Sequence, residues 1–510
     1  MTLTKNSVWR FIVLLVALAL VVAACGSDDD DGEEGETTEA TEAPESTEGG
    51  DDGDDGDDGE SSETTEGGDD GEMTETINLA VLSECEGPFG GFHNQQLAGV
   101  GAAFAEYAGA TIVDPTDPLA GFTGATVNGV NIELVGIGCG DDTADTAIAE
   151  TRRLMEQLGG EIMIGPLSGD ESVAVANYAL DHPTQTFVNG AAGAMDTTLD
   201  VQAPNFFRYH ADGAQWNAGT GDIAKNTLGW DTAAVIMDDY SFGWTSAAGF
   251  IAEYCAAGGE VTSRVFPPLG ATDYSSFAAQ LPAPDEVDGY FWVVGGTGTT
   301  AAIKAFEDIH GTITPEQHMG NLFWEFAAGS LDPTLEGGYV GGFGTAADLA
   351  LDSVAAHTAI IEKHWVEFPD PGGEVAAPGP QAHSGFLVNY FTAAKALIQG
   401  LEEVGGDISD DHAALQAALG NVVLEGPYGT ITLDENRQAI QDSYVRQLVD
   451  TGDGVLGLQT VAIVPQVDQS FGGSFTKEGG MPSRDIPTCE PRDIPWIGNL
   501  VEVVDGVPQG

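Results

Sequence analysis

The sequence has few basic residues and no apolar run long enough to span a bilayer. It contains 15 Lys and Arg against 82 Asp and Glu, giving a net charge of −67 at pH 7. This acidic excess argues against a nucleic-acid-binding protein and against direct contact with anionic lipid. The apolar run Phe11–Val22 is only 12 residues long, whereas a membrane-spanning helix takes about 20.

The residues around that apolar run indicate export. Lys5 and Arg10 precede it, and Ala-Ala-Cys-Gly-Ser follows at residues 23–27. A short apolar run after a basic start is typical of a secretory signal peptide, and small residues directly before a cysteine resemble a bacterial lipobox. The resemblance implies a lipoprotein signal peptide over residues 1–24, cleaved before Cys25, whose thiol and new N-terminus are lipidated. A simple secretion signal with Cys25 at the cleavage site is the alternative.

Residues 25–75 are predicted to form a lipid-anchored, disordered acidic tether. Residues 28–75 consist mainly of Asp, Glu, Gly, Thr and Ser, with an Asp-Asp-Gly repeat at 51–59. Such a segment cannot bury enough apolar surface to offset the entropy of folding. A flexible chain of about fifty residues spans about 40 Å, which would let a folded part stand clear of the membrane. Calcium binding by the repeat is disfavoured because no loop scaffold fixes the ligand geometry.

The rest of the chain is acidic in its own right. Residues 28–75 hold 24 of the 82 acidic residues and residues 1–24 hold two of the 15 basic ones, so 58 acidic and 13 basic residues remain. We interpret this surface as an adaptation for solubility, for example in a salty habitat. The remaining residues, about 430, are enough for two lobes with sizeable cores.

The cysteines predict disulfide bonds. If Cys25 carries the lipid, four cysteines remain, and an even number in an exported protein favours pairing. Two of them follow strand-like runs, at 77–82 and 132–137, whose ends would meet if the strands are neighbours. The predicted bonds are therefore Cys85–Cys139 and, by elimination, Cys255–Cys489, which would pin the C-terminal tail. Four buried free thiols are the alternative.

Strand-like and helix-like stretches alternate along the folded part. Runs such as Ile77–Leu82 and Ile162–Ile164 alternate with stretches of helical spacing such as Asn94–Tyr107, and a second round begins after Phe206–Tyr209. This order predicts an α/β fold of two Rossmann-like lobes with parallel sheets. We expect lobe 1 over residues 76–210 and 346–428 and lobe 2 over 211–345, with 429–510 completing lobe 2 and forming a C-terminal extension.

The sequence lacks the common signatures of catalysis. It contains no G-x-S-x-G, H-E-x-x-H or P-loop motif. Its nine His residues are scattered, and His357 and His364, although on one predicted helix, lie two turns apart. We therefore expect neither an enzyme nor a metal site.

One glycine-rich loop has a competing interpretation. Gly296–Ala301 fits G-x-G-x-x-A between a predicted strand and a predicted helix, and Glu316 lies near the distance expected of a ribose-binding acid. Nicotinamide cofactors are scarce outside the cytoplasm and the unit lies in mid-domain, so we expect no cofactor here.

From about residue 76 to about 450 the chain resembles the leucine/isoleucine/valine-binding protein family. The resemblance rests on the order and spacing of four stretches: INLAVLSECEGPFGGFHNQQLAGVGAAF, IMIGPLSGDESVAVANYA, FVNGAAGAMDTTL and FFRYHADGAQWNAGTGDIAKNTLGWDTAAVIMDDYSFGWTSAAGFIAEYCAAGGEV. They are similar to the first three strand–loop units of the family and to its crossing into the second lobe. The resemblance implies the type I periplasmic-binding-protein fold, with two lobes joined by a hinge.

The resemblance also implies a function. It points to an extracytoplasmic, membrane-anchored lipoprotein that captures a small polar solute, such as an amino acid, an amide or a related compound. The lobes close on the solute by hinge bending, and the protein delivers it to the permease of an ABC importer. We expect a monomer without a cofactor. A ligand-sensing surface receptor of the same fold, not coupled to transport, is the alternative.

The resemblance further implies which loops contact the ligand. Ligands of open α/β sheets bind beyond the carboxyl ends of the strands, and helix N-termini there suit an anionic group. The expected ligand-binding residues are Phe92, Leu167, Ser168, Gly169, Asp170, Ala191, Ala192, Phe242, Thr297 and Glu325. The loop 167–170 would hold the α-carboxylate and α-ammonium of an amino acid. Glu325, after a predicted strand Met319–Trp324, would bind the ammonium group.

Three of these positions depart from the amino-acid-binding pattern. Gly169 and Ala192 replace hydroxyl residues, and Phe242 replaces Tyr. Ser168 and Asp170 could compensate. An amide, urea-like or aromatic ligand is therefore also consistent with the sequence, and Phe92, Phe242, Tyr240, Trp244 and Trp324 offer stacking surface for it.

Overall fold

The computed structural model describes residues 75–509, apart from Asp453 and the side chain of Thr297. The predicted signal peptide, Cys25 and nearly all of the predicted tether lie outside the described residues. Within the described residues, no helix is both long and apolar enough to cross a membrane.

The first sheet is formed mainly by parallel strands. It has six strands, in the spatial order Ala125–Val127, Val130–Gly140, Thr76–Glu84, Ile162–Ile164, Thr186–Val188 and Phe206–Phe207. Only the first of these runs antiparallel to its neighbour. The central strands are mostly apolar and largely buried, as expected when helices cover both faces of a sheet.

The second sheet begins in the same way and then changes direction. Its parallel part has the spatial order Glu260–Val265, Thr232–Met237, Gly289–Val293, His318–Gly320 and Tyr339–Gly341. Its antiparallel part continues with Ala439–Asp450, Leu456–Val467, Val501–Val504 and Val507–Pro508. The strands Leu424–Gly426 and Gly429–Leu433 attach to the side of this ribbon.

Two short hairpins and a set of helices complete the fold. The hairpins pair Thr111–Ile112 with Phe122–Thr123 and Phe368–Pro369 with Val375–Ala376. The α-helices are His93–Tyr107, Ala144–Arg152, Gly169–Asp181, Thr220–Asp222, Ser241–Ala256, Ser275–Ala278, Thr299–His310, Leu322–Ala327, Asp352–His364, Pro378–Gln381, Gly385–Glu403 and Ala413–Leu419. Gly385–Glu403 packs directly on His93–Tyr107, where a Cβ at Gly99 would lie 2.3 Å from the Leu387 carbonyl oxygen. Only glycine allows that approach.

The two lobes are joined through a buried polar network. Arg208, which follows the last strand of the first sheet, forms a parallel bridge with Gln438, which precedes the strand Ala439–Asp450. The Arg208 guanidinium is fully buried and donates to Gln438 Oε1, while Gln438 Nε2 donates to Gln215 Oε1 at 2.7 Å. Asp212 lies 3.8 Å from the guanidinium and supplies the opposite charge. Because every member is buried, the network fixes how the chain crosses between the lobes.

Both disulfide bonds join the cysteines that the sequence pairs. Cys85 bonds Cys139 at the ends of neighbouring parallel strands, where Ser83 is in register with Cys139. Cys255, at the end of the helix Ser241–Ala256, bonds Cys489 in the C-terminal region. These four cysteines are therefore not free thiols.

One predicted element near the site is wrong. The sequence predicts a strand over Met319–Trp324, but the strand ends at Gly320 and a helix begins at Leu322. The Asn321 side chain caps that helix by accepting from the Phe323 N–H at 3.0 Å. The cap satisfies a backbone donor at the helix start and overrides the β-like apolar pattern.

Candidate functional site

A cavity, here called the inner chamber, lies between the lobes at the carboxyl ends of the parallel strands. Its free volume is about 20 Å³, room for about one water molecule. It is lined by Phe89, Leu167, Ser168, Gly169, Ala191, Gly193, Trp216, Tyr240, Phe242, Leu322, Phe323, Phe343 and Phe386. Most of these residues stand in loops that directly follow strands, which is where ligands of parallel sheets bind.

The wall of the inner chamber is a chain of aromatic rings. Phe242 lies 6.0 Å from Trp216 and 5.7 Å from Phe323, measured between ring centroids. Phe323 stacks on Phe89 at 5.8 Å, and Trp216 meets Phe343 edge-on at 4.5 Å. Offset and edge-to-face pairs at these distances stabilise one another. The chamber therefore presents flat apolar surface to a ligand.

The two lobes touch at the edge of the chamber. A Cβ at Gly169 would lie 2.6 Å from Ser241 Oγ and 2.9 Å from Phe242 Cβ. The Asp170 carboxylate accepts a hydrogen bond from the Ser241 N–H at 3.2 Å. Helices Gly169–Asp181 and Ser241–Ala256 thus meet at their N-termini, and the negative charge of Asp170 is favourable there. The glycine at 169 is explained by this close approach.

Three polar groups in or beside the chamber have no hydrogen-bond partner among the described residues. They are the indole N–H of Trp216 and the hydroxyl of Ser168, which line the chamber, and the hydroxyl of Ser241 beside it, all buried. Burying an unpaired donor costs about 1–3 kcal/mol. Each could therefore donate to a ligand oxygen. Ser168 is also the N-cap of its helix, where its backbone N–H donates to Glu171 Oε2 at 3.3 Å.

Three buried carboxyl groups lie behind the chamber wall. The Asp142 N–H donates to Glu84 Oε1 at 2.6 Å, and the Phe89 N–H donates to Asp142 Oδ2 at 3.3 Å. Burial, followed by the charge of Glu171, raises the pKa of Glu84 and the pKa of Asp142. The raised pKa values favour the neutral, protonated form of these carboxyl groups. The region behind Phe89 therefore carries less negative charge than three ionised carboxylates would give it.

The inner chamber brings together half of the residues expected to contact the ligand. These are Leu167, Ser168, Gly169, Ala191 and Phe242. Asp170 lies beside them and joins the lobes. Ala192 donates its N–H to Asn189 Oδ1 at 2.9 Å, and its carbonyl accepts from Arg208 Nη1 at 3.1 Å.

Phe92 and Glu325 line one cleft outside the inner chamber, and Phe92 also borders a second cleft. The Phe92 ring packs 4.2 Å from that of Phe386 and borders a cleft with Thr299 and Thr300. Both Glu325 oxygens are already used. Glu325 Oε2 accepts from the Phe343 N–H at 2.9 Å, and Glu325 Oε1 lies 2.5 Å from Arg446 Nη1.

The glycine-rich loop forms a short turn before a helix. Gly296–Gly298 is a 3₁₀ turn before the helix Thr299–His310, and the Thr299 hydroxyl donates to the Val294 carbonyl at 2.8 Å. The side chain of Thr297 lies outside the described residues. Among the described residues, no group of three or more His, Cys, Asp or Glu side chains is arranged to hold a metal ion.

Sequence reasoning missed several lining residues. Phe89, Phe323 and Phe343 follow strands, so their positions after apolar runs were a usable signal. Phe386 is the second residue of the helix Gly385–Glu403, and Trp216 lies in a 3₁₀ turn after the crossing between the lobes. No local pattern marks these two, because only packing brings them to the chamber.

A chamber between two α/β lobes, lined from both by loops at the carboxyl ends of parallel strands, defines a two-lobed binding protein. The chain belongs to the periplasmic binding protein family, whose model matches residues 76–453. The family resemblance and the fold class predicted from the sequence are thus confirmed. No curated protein matches the chain by sequence.

Solved structures share the fold at low sequence identity. An ABC transporter substrate-binding protein from Sphaerobacter thermophilus is 20% identical with a TM-score of 0.61, covering 77% of this chain and 99% of its own. A solute-binding protein of Rhodopseudomonas palustris BisB5, in complex with 3,4-dihydroxybenzoic acid, is 20% identical with a TM-score of 0.61, covering 77% and 98%. The leucine-binding protein LivK of Thermotoga maritima MSB8 is 18% identical with a TM-score of 0.58, covering 76% and 99%. These matches support the fold alone.

Proposed function

We propose that this protein captures a small solute in the inner chamber and delivers it to an ABC importer. The observation that carries the proposal is the lining of the chamber by loops of both lobes, with Gly169 and Asp170 of lobe 1 against Ser241 and Phe242 of lobe 2. A ligand that contacts both lobes favours their closed arrangement and shifts an open–closed equilibrium. The closed form is then the form that docks on the permease.

The chemistry of the chamber favours a flat, largely apolar solute with a polar edge. The rings of Phe89, Trp216, Phe242 and Phe323 offer stacking surface, while the Trp216 N–H and the Ser241 hydroxyl offer donors. A small aromatic acid or amide matches these groups in chemistry. Binding it requires the rings or the lobes to move apart, because the free volume of about 20 Å³ holds about one water molecule. Two of the structural neighbours from Rhodopseudomonas palustris were solved with 3,4-dihydroxybenzoic acid and with benzoate, which supports the same class.

A free amino acid fits the chamber less well. Its ammonium group needs an acceptor, and Glu325, expected to supply it, lies in another cleft and is paired with Arg446. Leaving an ammonium group without a carboxylate or carbonyl partner in an apolar chamber is costly. The amino-acid ligand expected from the family is therefore ranked second in our proposal.

The proposed setting is the outer surface of the cell membrane. Cys25 would carry the lipid, and the acidic tether would give the lobes room to search for solute. We propose a monomer that meets the permease by diffusion on this tether. A receptor that reports the solute to another protein without transport would use the same site.

A thermal-shift screen tests the proposed ligand class. The chain carrying Cys25→Ser, which removes the predicted lipid site, is screened with benzoate, 4-hydroxybenzoate, benzamide, urea and the amino acids. A ligand at one hundred times its dissociation constant stabilises the folded state by about 2.7 kcal/mol. Phe242→Ala should abolish the shift. If no small solute shifts the melting temperature, the proposal is wrong, and if only amino acids do, the aromatic class is wrong.

A further inference from the structure

The C-terminal segment, defined as residues 468–498, lies beyond the part of the chain that the family model matches, which ends at residue 453. It packs along the helix Ser241–Ala256, whose first residues line the inner chamber. Its apolar residues form a core with Ala248 and Ala252 of that helix; they are Phe471, Phe475, Ile494 and Trp496. The same core includes Met195 and Leu199, so the segment is an integral part of the folded chain and contacts both lobes.

The segment holds the same helix at both ends. At the C-terminal end, Cys489 is disulfide-bonded to Cys255. At the N-terminal end, Arg484 Nε donates to Asp239 Oδ1 at 2.8 Å, and Arg484 Nη2 donates to Asp239 Oδ2. This two-point arrangement fixes the direction of the carboxylate as well as its position.

The Arg484 side chain is itself held in place. Its guanidinium lies over the Phe266 ring at 5.4 Å. Its backbone carbonyl accepts from Arg264 Nη1 at 3.2 Å. Asp239 is tied in turn, because its N–H donates to the Pro267 carbonyl at 2.8 Å and its Oδ1 accepts from Trp244 Nε1 at 3.1 Å.

Asp239 directly precedes the chamber residue Tyr240 and stands three residues before Phe242. We propose that Arg484 is a positioning residue for the ligand site: through Asp239 it fixes the loop that aims the Tyr240 and Phe242 rings into the inner chamber. The inference rests on the proposed function. Arg484, which lies outside the family-matched region, then contributes to ligand affinity without touching the ligand. It does so because a loop that is already ordered loses less entropy when the ligand binds.

The test compares Arg484→Gln with Arg492→Gln as a matched control. Arg492 is a neighbouring arginine of the same segment, and its ion pair, with Glu490 at 3.1 Å, stays within the segment. Both substitutions are made in the chain carrying Cys25→Ser. The first readout is hydrogen–deuterium exchange of peptides covering residues 238–246, which needs no ligand. The second is the dissociation constant for 4-hydroxybenzoate.

Arg484→Gln should speed exchange in these peptides and weaken 4-hydroxybenzoate binding about two- to fivefold, the range of a partly exposed ion pair. Arg492→Gln should change neither. Arg484→Lys keeps the charge but loses the paired donors and should fall between. Asp239→Asn should match Arg484→Gln, and the double variant should add nothing further.

Equal exchange and equal affinity in the two Gln variants would overturn the inference. If the unsubstituted chain binds no 4-hydroxybenzoate, the proposed ligand class fails and the exchange readout decides the role of Arg484 alone. In that case, faster exchange at residues 238–246 in Arg484→Gln but not in Arg492→Gln supports the positioning role of Arg484. Unchanged exchange in Arg484→Gln refutes that role.

Discussion

Asp170 in one lobe accepts a hydrogen bond from the backbone N–H of Ser241 in the other, across 3.2 Å. Ser241 begins a helix of sixteen residues, so the carboxylate meets both an unpaired donor and the positive end of the helix dipole. This hydrogen bond, here called the latch, connects the two lobes at the rim of the inner chamber.

Removing the latch should weaken ligand binding more than folding. Asp170→Asn removes the charge at the helix terminus, which is worth about 0.3–1 kcal/mol, and we expect the dissociation constant to rise up to about fivefold. Calorimetric titration measures this, with Asp181→Asn, at the exposed far end of the same helix, as the control. An unchanged affinity in Asp170→Asn would show that closure does not depend on this contact.

Glu325 is predicted to stabilise the fold. Its carboxylate pairs with Arg446, and both side chains are almost fully buried. Glu325→Gln would leave the guanidinium without its counter-charge, which typically costs about 3–5 kcal/mol. Urea unfolding should therefore show a large loss of stability. A variant of normal stability that has lost affinity for amino acids would instead support the ligand role that the sequence suggests.

The buried carboxyl of Glu84 should make stability depend on pH. Burial and then Glu171 raise its folded-state pKa above the ordinary value of 4.5. The folded state therefore binds the proton more tightly, and the contribution of Glu84 is fully present below pH 4.5 and is lost as pH rises toward the raised value. Glu84→Gln, which mimics the neutral acid, removes this dependence.

Unfolding free energies at pH 5, 7 and 9 check the prediction. The advantage of Glu84→Gln over the unsubstituted chain should grow with pH. Glu86→Gln, at an exposed position two residues on, should follow the unsubstituted chain. A difference between Glu84→Gln and the unsubstituted chain that is constant over this range would contradict a raised pKa.

Cys25 is predicted to be the lipid attachment site. Cys25→Ser should move the protein from the membrane fraction to the soluble fraction and abolish incorporation of labelled fatty acid. Cys489→Ser, which removes a disulfide partner but not the lipobox, should remain membrane-bound. Retention of Cys25→Ser on the membrane would refute the lipobox interpretation.

Local pattern predicted the alternation of strands and helices in the two lobes, but not the late strands Leu456–Val467 and Val501–Val504. The apolar runs at 77–82 and 132–137 became neighbouring parallel strands, and their flanking cysteines are bonded. It failed at Met319–Trp324, because a β-like run of apolar residues cannot be distinguished from a short buried helix by periodicity. The Asn321 cap decides that case.

From the sequence by itself, periodicity and strand ends predicted two α/β lobes and the disulfide pairing, because these are local properties, and the family resemblance implied five of the residues that line the chamber. Only the tertiary structure decided the character of the chamber. Trp216, Phe343 and Phe386 come from distant parts of the chain, and packing alone joins their rings. The tertiary structure also pairs Glu325 with Arg446 instead of placing it at the chamber, since a buried guanidinium requires a carboxylate partner.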